Sequence, residues 1–129
     1  MTAEGYGLER LVGQFYEERS RLGLVDFLLT FRIEACWDRS DTEIDLVAID
    51  ETAQRLRLGS CKRSAAALVA DLGRFDGHVA RFLNAFPRFS QWQVEKVAIA
   101  PFLNQEARQE NLAMGYLPQS LDELTAGLL

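Results

Sequence analysis

The chain has 129 residues, 48% of them hydrophobic and 26% charged, with a formal charge of −5. That is the make-up of one ordinary soluble globular domain, large enough to bury roughly two thirds of its unfolded surface without disulfide or metal staples. A generally basic nucleic-acid binder is excluded, although the charge is uneven: residues 1–51 hold 5 basic and 12 acidic side chains, and residues 55–96 hold 8 basic and 3 acidic. A local basic face is therefore allowed. No run approaches the ~20 apolar residues that span a bilayer, and the acidic opening "MTAEGYGLE" is unlike a secretory leader, so the expected location is the cytoplasm.

Apolar residues Leu8, Leu11, Val12, Phe15 and Tyr16 recur at helical spacing and predict a first helix over 6–22, stopped by Gly23. Residues 27–37 are aromatic and β-branched and read as a strand, followed by the polar turn "DRSD" at 38–41. Two more strands follow, "EIDLVAID" at 43–50 and "RLRLGSCK" at 55–62, reversed by "ETAQ". Period-two alternation puts Glu43, Asp45, Val47 and Ile49 on one face of the first, and Leu56, Leu58, Ser60 and Lys62 on one face of the second. Asp45, Ser60 and Lys62 converge if those faces coincide.

Ser64 is the expected N-cap of a long helix to about Asn84, with Leu68, Leu72, Phe75, Val79, Phe82 and Leu83 as its buried stripe. Gly73 and Gly77 predict a kink or break in it, and Pro87 closes the region. Residues 95–102 read as a buried parallel strand. Asn104 caps a helix ended by Gly115, residues 116–118 form a last short strand, and "SLDE" at 120–123 is a capping box for a final helix. The predicted class is α/β: one domain over 1–129, with a three-stranded antiparallel meander followed by a parallel strand in a mixed sheet, and helices on its faces.

Cys36 and Cys61 lie on separate predicted strands and are expected to be reduced, buried thiols. His78 is expected on the helix surface or partly buried, and Trp37 and Trp92 are expected to pack. One histidine and no CxxC rule out a zinc site.

Asp45 on one strand and Lys62 on the next are the residue types of a magnesium-dependent phosphodiesterase, which needs carboxylates for a hard cation and a positive group beside water and phosphate. The order of elements and these residues resemble the PD-(D/E)XK, or restriction-endonuclease-like, superfamily with its αβββαβ core. Within it, the chain is most similar to the nuclease-like domain at the C-terminus of archaeal and bacterial P-loop ATPases of the AAA type. That family shows Gly-Arg-x-Phe-Glu on its first helix, compared here with Gly13-Gln14-Phe15-Tyr16-Glu17. It shows an aromatic strand end, compared with Trp37-Asp38, then Glu-Ile-Asp-hydrophobic-Val-Ala, matched by Glu43 to Ala48. The closing Ser120-Leu121-Asp122-Glu123-Leu124 resembles the family's ending.

The resemblance implies a helix acid at Glu17, a principal metal ligand at Asp45, a lysine near the scissile phosphate at Lys62, and Mg²⁺ or Mn²⁺ as cofactor. It implies DNA as substrate, an ATPase in the same or a separate chain as partner, and allows a homodimer. The chain departs from the pattern at the family's Gly-Glu-Cys-Lys, which reads Gly59-Ser60-Cys61-Lys62. A serine hydroxyl is a neutral, weak ligand, so metal binding and hydrolysis are expected to be weak or absent unless Glu43 or Glu18 compensates. The alternative is a non-catalytic module that binds nucleic acid or regulates an ATPase. The sequence contains no Gly-x-x-x-x-Gly-Lys-Ser/Thr phosphate loop of its own.

Overall fold

A computed structural model describes the backbone of residues 3–23, 31–39 and 42–126, and the side chains of Leu8, 10–23 and 44–126. The predicted strand start at 27–30, part of the turn at 38–41, and the side chains of Cys36, Trp37 and Glu43 lie outside the described residues. The elements are α1 (Ala3–Arg21), β1 (Phe31–Arg39), β2 (Thr42–Asp50), β3 (Arg55–Cys61), α2 (Ala65–Ala85), a 3₁₀ turn (Pro87–Phe89), β4 (Gln93–Ala100), α3 (Gln105–Ala113), β5 (Leu117–Ser120) and α4 (Leu121–Thr125). The strands form one sheet in the order β1-β2-β3-β4-β5. The first three pair antiparallel, and β4 and β5 then add in parallel. This is the mixed α/β architecture that the alternation and spacing predict.

Helix–strand crossovers put the two halves of the core on opposite faces of the sheet. On one face Val47, Ile49, Leu56, Leu58 and Ala98 pack against Leu68, Leu72, Phe75, Val79 and Phe82 of α2 and Ala107 of α3. On the other, Leu46, Ala48, Cys61, Val97 and Ile99 pack against Leu8, Val12 and Tyr16 of α1 and Leu124 of α4. Cys61 is a free, buried thiol. Gly59 belongs to this second face. A Cβ there would stand 3.0 Å from Val97 Cγ2 and 3.2 Å from Leu46 Cβ, tight contacts that those side chains would have to relieve by small shifts.

Strand β1 runs on through Asp38 and Arg39 into the expected turn, β5 spans Leu117–Ser120 instead of 116–118, and two further elements differ for a clear physical reason. Helix α2 runs unbroken through Gly73 and Gly77. Each glycine costs about 1 kcal/mol against alanine, whereas each buried leucine or phenylalanine of the stripe contributes about 1.5–3 kcal/mol, so packing prevails. Strand β4 spans 93–100 instead of 95–102, because Gln93 already pairs with Arg55 and Pro101 has no N–H to extend the ladder. The cap expectations hold: Ser64 Oγ accepts from Ala67 N, Asn104 Oδ1 from Ala107 N, and Ser120 with Glu123 forms the reciprocal box.

The α1 face also holds a charged core that hydrophobic periodicity does not reveal. Arg57, 2% exposed, donates through Nε and Nη2 to Glu95 Oε1 at 3.0 and 2.7 Å. Its Nη1 donates to Tyr16 Oη at 3.2 Å, and Tyr16 in turn donates to Gln119 Oε1 at 2.6 Å. Arg55 takes the second oxygen of Glu95 at 2.7 Å. One network thus ties α1, β3, β4 and β5 together. No helix among the described residues is long and apolar enough to cross a membrane.

Candidate functional site

Alternation along β3 turns Ser60 toward α2, on the face that carries Leu56 and Leu58. The β2–β3 ladder ends at the pair Leu46 and Gly59. Beyond it the buried Asp45 carboxylate acts as the next acceptor, taking a hydrogen bond from Cys61 N at 2.8 Å on Oδ2. Lys62 follows, its own N–H donating to Ile99 O at 3.0 Å, which fixes its backbone to β4. Its Nζ lies 3.9 Å from Asp45 Oδ2, so the strand acid and the lysine meet at the end of the sheet.

The group that meets Ser60 comes from elsewhere in the chain. Ser60 Oγ, fully buried, donates to Asp71 Oδ2 on α2 at 2.8 Å. The same oxygen lies 4.0 Å from Lys62 Nζ. Lys62, with 30% of its side chain exposed, therefore stands between two almost buried carboxylates. Asp71 Oδ1 accepts from Arg74 Nη2 at 2.6 Å. Burial pushes the Asp71 carboxyl up. The hydrogen bonds from Arg74 and Ser60 and the charges of Lys62 and Arg74 outweigh that, holding it below the ordinary aspartate value of 3.8. It is an anion at neutral pH.

Asp71 is the residue that sequence reasoning missed. It falls three after Leu68 and beside Leu72, inside the buried stripe of an amphipathic helix. An acid on a buried face is costly unless it is paired, and that anomaly was readable without coordinates.

The remaining candidates are arranged differently from expectation. Glu17 is exposed on α1, the helix that covers the opposite face of the sheet, and its neighbour Tyr16 points inward. Among the described residues no three His, Cys, Asp or Glu side chains gather to hold a metal ion, so Glu17 does not join Asp45 and Asp71 in such a group. Successive helix residues are turned by about 100° from one another, and here Tyr16 is buried against the sheet while Glu17 is exposed. Glu18 is exposed and pairs with Arg21 at 2.7 Å, away from Ser60. His78 is buried beside Phe75 rather than at the surface, and Trp92 packs edge-on to Phe89. A groove of about 420 Å³ between the starts of α2 and α3 is lined by Glu106 and Glu110 and by no basic residue, which does not suit a phosphodiester.

Two carboxylates beside a hydroxyl fit a small hard cation that keeps most of its water: Mg²⁺ is commonly held by one or two carboxylates plus substrate phosphate. Asp45 and Asp71 are the residues that would hold it. In the structure the two acids are balanced by Lys62 and Arg74. The arrangement is therefore a charge-neutral cluster with one lysine and one arginine reachable from solvent.

The Asp71 contact sets what Ser60→Glu should do. That substitution restores the family pattern, but it forces a second carboxylate against Asp71 in a fully buried position. The variant is expected to lose about 1–3 kcal/mol in chelator, a drop of several degrees in melting temperature, and to recover most of it on adding Mn²⁺. A melt that is insensitive to Mn²⁺ would show that the two acids do not share an ion.

Comparison of the chain with family models, with curated proteins and with solved structures gives no match in any of the three.

Proposed function

We propose that the chain is a weak, metal-dependent phosphodiesterase domain of the PD-(D/E)XK type, with Asp71 of α2 supplying the carboxylate that the strand lacks at Ser60. The observation that carries the reading is the hydrogen bond between Ser60 and Asp71, which sets a second acid beside Lys62 and opposite Asp45. In this reading Asp45 and Asp71 hold Mg²⁺ or Mn²⁺, which when bound polarises a phosphoryl oxygen and acidifies a water. Lys62 orients the attacking water and offsets charge at the phosphate, a role its fixed backbone and partly exposed amine support. Ser60 holds Asp71 in place. DNA is the proposed substrate, the cytoplasm the proposed location, and a P-loop ATPase, in the same or a separate chain, the proposed partner. A homodimer is compatible with all of these.

The second reading is a module that keeps the fold to bind nucleic acid or to regulate an ATPase. It is favoured by one feature: the cluster is already neutral, since Lys62 and Arg74 offset the two acids without any ion.

Calorimetric titration with Mn²⁺ separates the two. Asp71→Asn keeps the shape of the side chain and removes its charge, and is expected to weaken Mn²⁺ binding at least about tenfold, as loss of one of two anionic ligands should. Equal affinity in wild type and variant would remove Asp71 from the site.

A further inference from the structure

If Asp71 is a cation ligand, Arg74 stands in the way of the cation. Its guanidinium lies 2.6 Å from Oδ1 of Asp71, while Ser60 and Lys62 occupy the side of Oδ2. Yet Arg74 is 71% exposed, and Asp71 is 7% exposed. The pair joins a nearly buried acid to a side chain standing mostly in water, one turn away on the same helix. Because the guanidinium stands in solvent, another anion can compete with Asp71 for its hydrogen bonds. Arginine's planar fork binds phosphate at least as readily as carboxylate.

Resting on the cation-site reading above, we infer that Arg74 is a positioning residue that exchanges between Asp71 and a substrate phosphate, so that phosphodiester binding uncovers Asp71 for the metal ion. In the free protein Arg74 neutralises Asp71 and holds the site at low cation affinity. An incoming phosphodiester accepts the hydrogen bonds of the guanidinium, Arg74 swings off Oδ1, and the carboxylate faces the ion and the phosphate together. No covalent step is involved. Because coupling between two bound species is reciprocal, phosphodiester must raise the affinity for metal by the same factor as metal raises the affinity for phosphodiester. The device would keep the site from loading a cation until substrate is present.

The test is Mn²⁺ titration of the full chain by calorimetry, with and without a short phosphorothioate DNA duplex that resists cleavage, for wild type, Arg74→Gln, Arg74→Lys and Asp71→Asn. In wild type the duplex is expected to tighten Mn²⁺ binding about fivefold or more, the range of ordinary coupling between sites. Arg74→Gln is expected to bind Mn²⁺ more tightly than wild type without DNA and to respond little to the duplex. Arg74→Lys, which keeps the charge but not the fork, should retain part of the response. If Arg74→Gln and wild type bind Mn²⁺ alike and respond alike to the duplex, Arg74 is an ordinary helix-surface pair and the inference fails, while the Asp45–Asp71 site stands. Asp71→Asn binding Mn²⁺ as well as wild type, or no binding by any form with or without duplex, would overturn the cation site and the exchange with it.

Discussion

Glu95→Ala is expected to cost about 3–5 kcal/mol of folding stability, the usual effect of removing one partner from a buried charge pair. Arg57 is 2% exposed and directs two of its N–H groups at one oxygen of Glu95. Without that carboxylate Arg57 loses two hydrogen bonds and an ion pair inside the α1 face, where Tyr16 Oη accepts from its Nη1. Part of the cost of desolvating the guanidinium then falls on the folded state. Replacing both partners with methionine should restore much of the loss, because the desolvation cost leaves with the charge. Urea unfolding of wild type, single and double variants checks this. A single-variant loss under about 1 kcal/mol would mean that water reaches Arg57. The same network gives a pH signature. Burial raises the Glu95 carboxyl, but Arg57 and Arg55 outweigh it and hold it below the ordinary 4.5. A carboxyl lowered on folding stabilises fully above its unfolded value, and that contribution fades as pH falls through the folded value. Asp71, Asp76 and Glu123 are lowered likewise, so stability should decline on acidification below about pH 4.5, and less steeply in Glu95→Gln.

How much of this was legible depends on the kind of residue that carried the signal. Apolar periodicity placed the long helix after Ser64 and the meander, because the Leu68 to Phe82 stripe and the Val47, Ile49, Leu56 and Leu58 faces each repeat with one period. Turn chemistry placed the caps at Asn104 and Ser120. The break expected at Gly73 and Gly77 did not appear, since local propensity is a weaker term than a buried stripe on the same helix. The limits of β4 were shifted by Pro101 and by pairing with Arg55, a partner some 40 positions away that no local window contains.

The site was legible only where it is local in sequence. Ser60 and Lys62 are two apart on one strand, and Asp45 is reached across one turn, so alternation alone brings them together. Asp71 meets Ser60 only because α2 returns over that face of the sheet. A search for apolar residues at helical spacing passes over the acid in their midst, and a comparison by family pattern looks for the acid at position 60. Arg57 and Glu95 escaped for the same reason. Each reads as the polar member of an alternating strand, which ordinarily means solvent, and here α1 covers that face and Tyr16 and Gln119 supply the partners.

Lys62→Met separates the chemistry of the site from its affinity for a cation. The substitution keeps the aliphatic stem and removes the amine that lies 3.9 Å from Asp45 and 4.0 Å from Asp71. A positive charge at that distance from both acids opposes the entry of a divalent ion, so its removal should leave Mn²⁺ affinity at the wild-type level or raise it. In the proposed reaction, in contrast, water and phosphate would lose the group that orients one and offsets charge on the other. Metal-dependent nicking of supercoiled plasmid is therefore expected to fall at least about 100-fold, the ordinary contribution of a positioned acid–base group. Nicking that survives the substitution would take Lys62 out of the reaction. Loss of Mn²⁺ binding together with nicking would mean that the amine chiefly holds Asp45 and Asp71 in register, and a restored register in Lys62→Arg would then be the sign of it. Wild-type protein that binds Mn²⁺ but leaves plasmid intact at every metal concentration would favour the binding module. In that case the neutral cluster of Asp45, Lys62, Asp71 and Arg74 is what keeps β2, β3 and α2 together at the open end of the sheet.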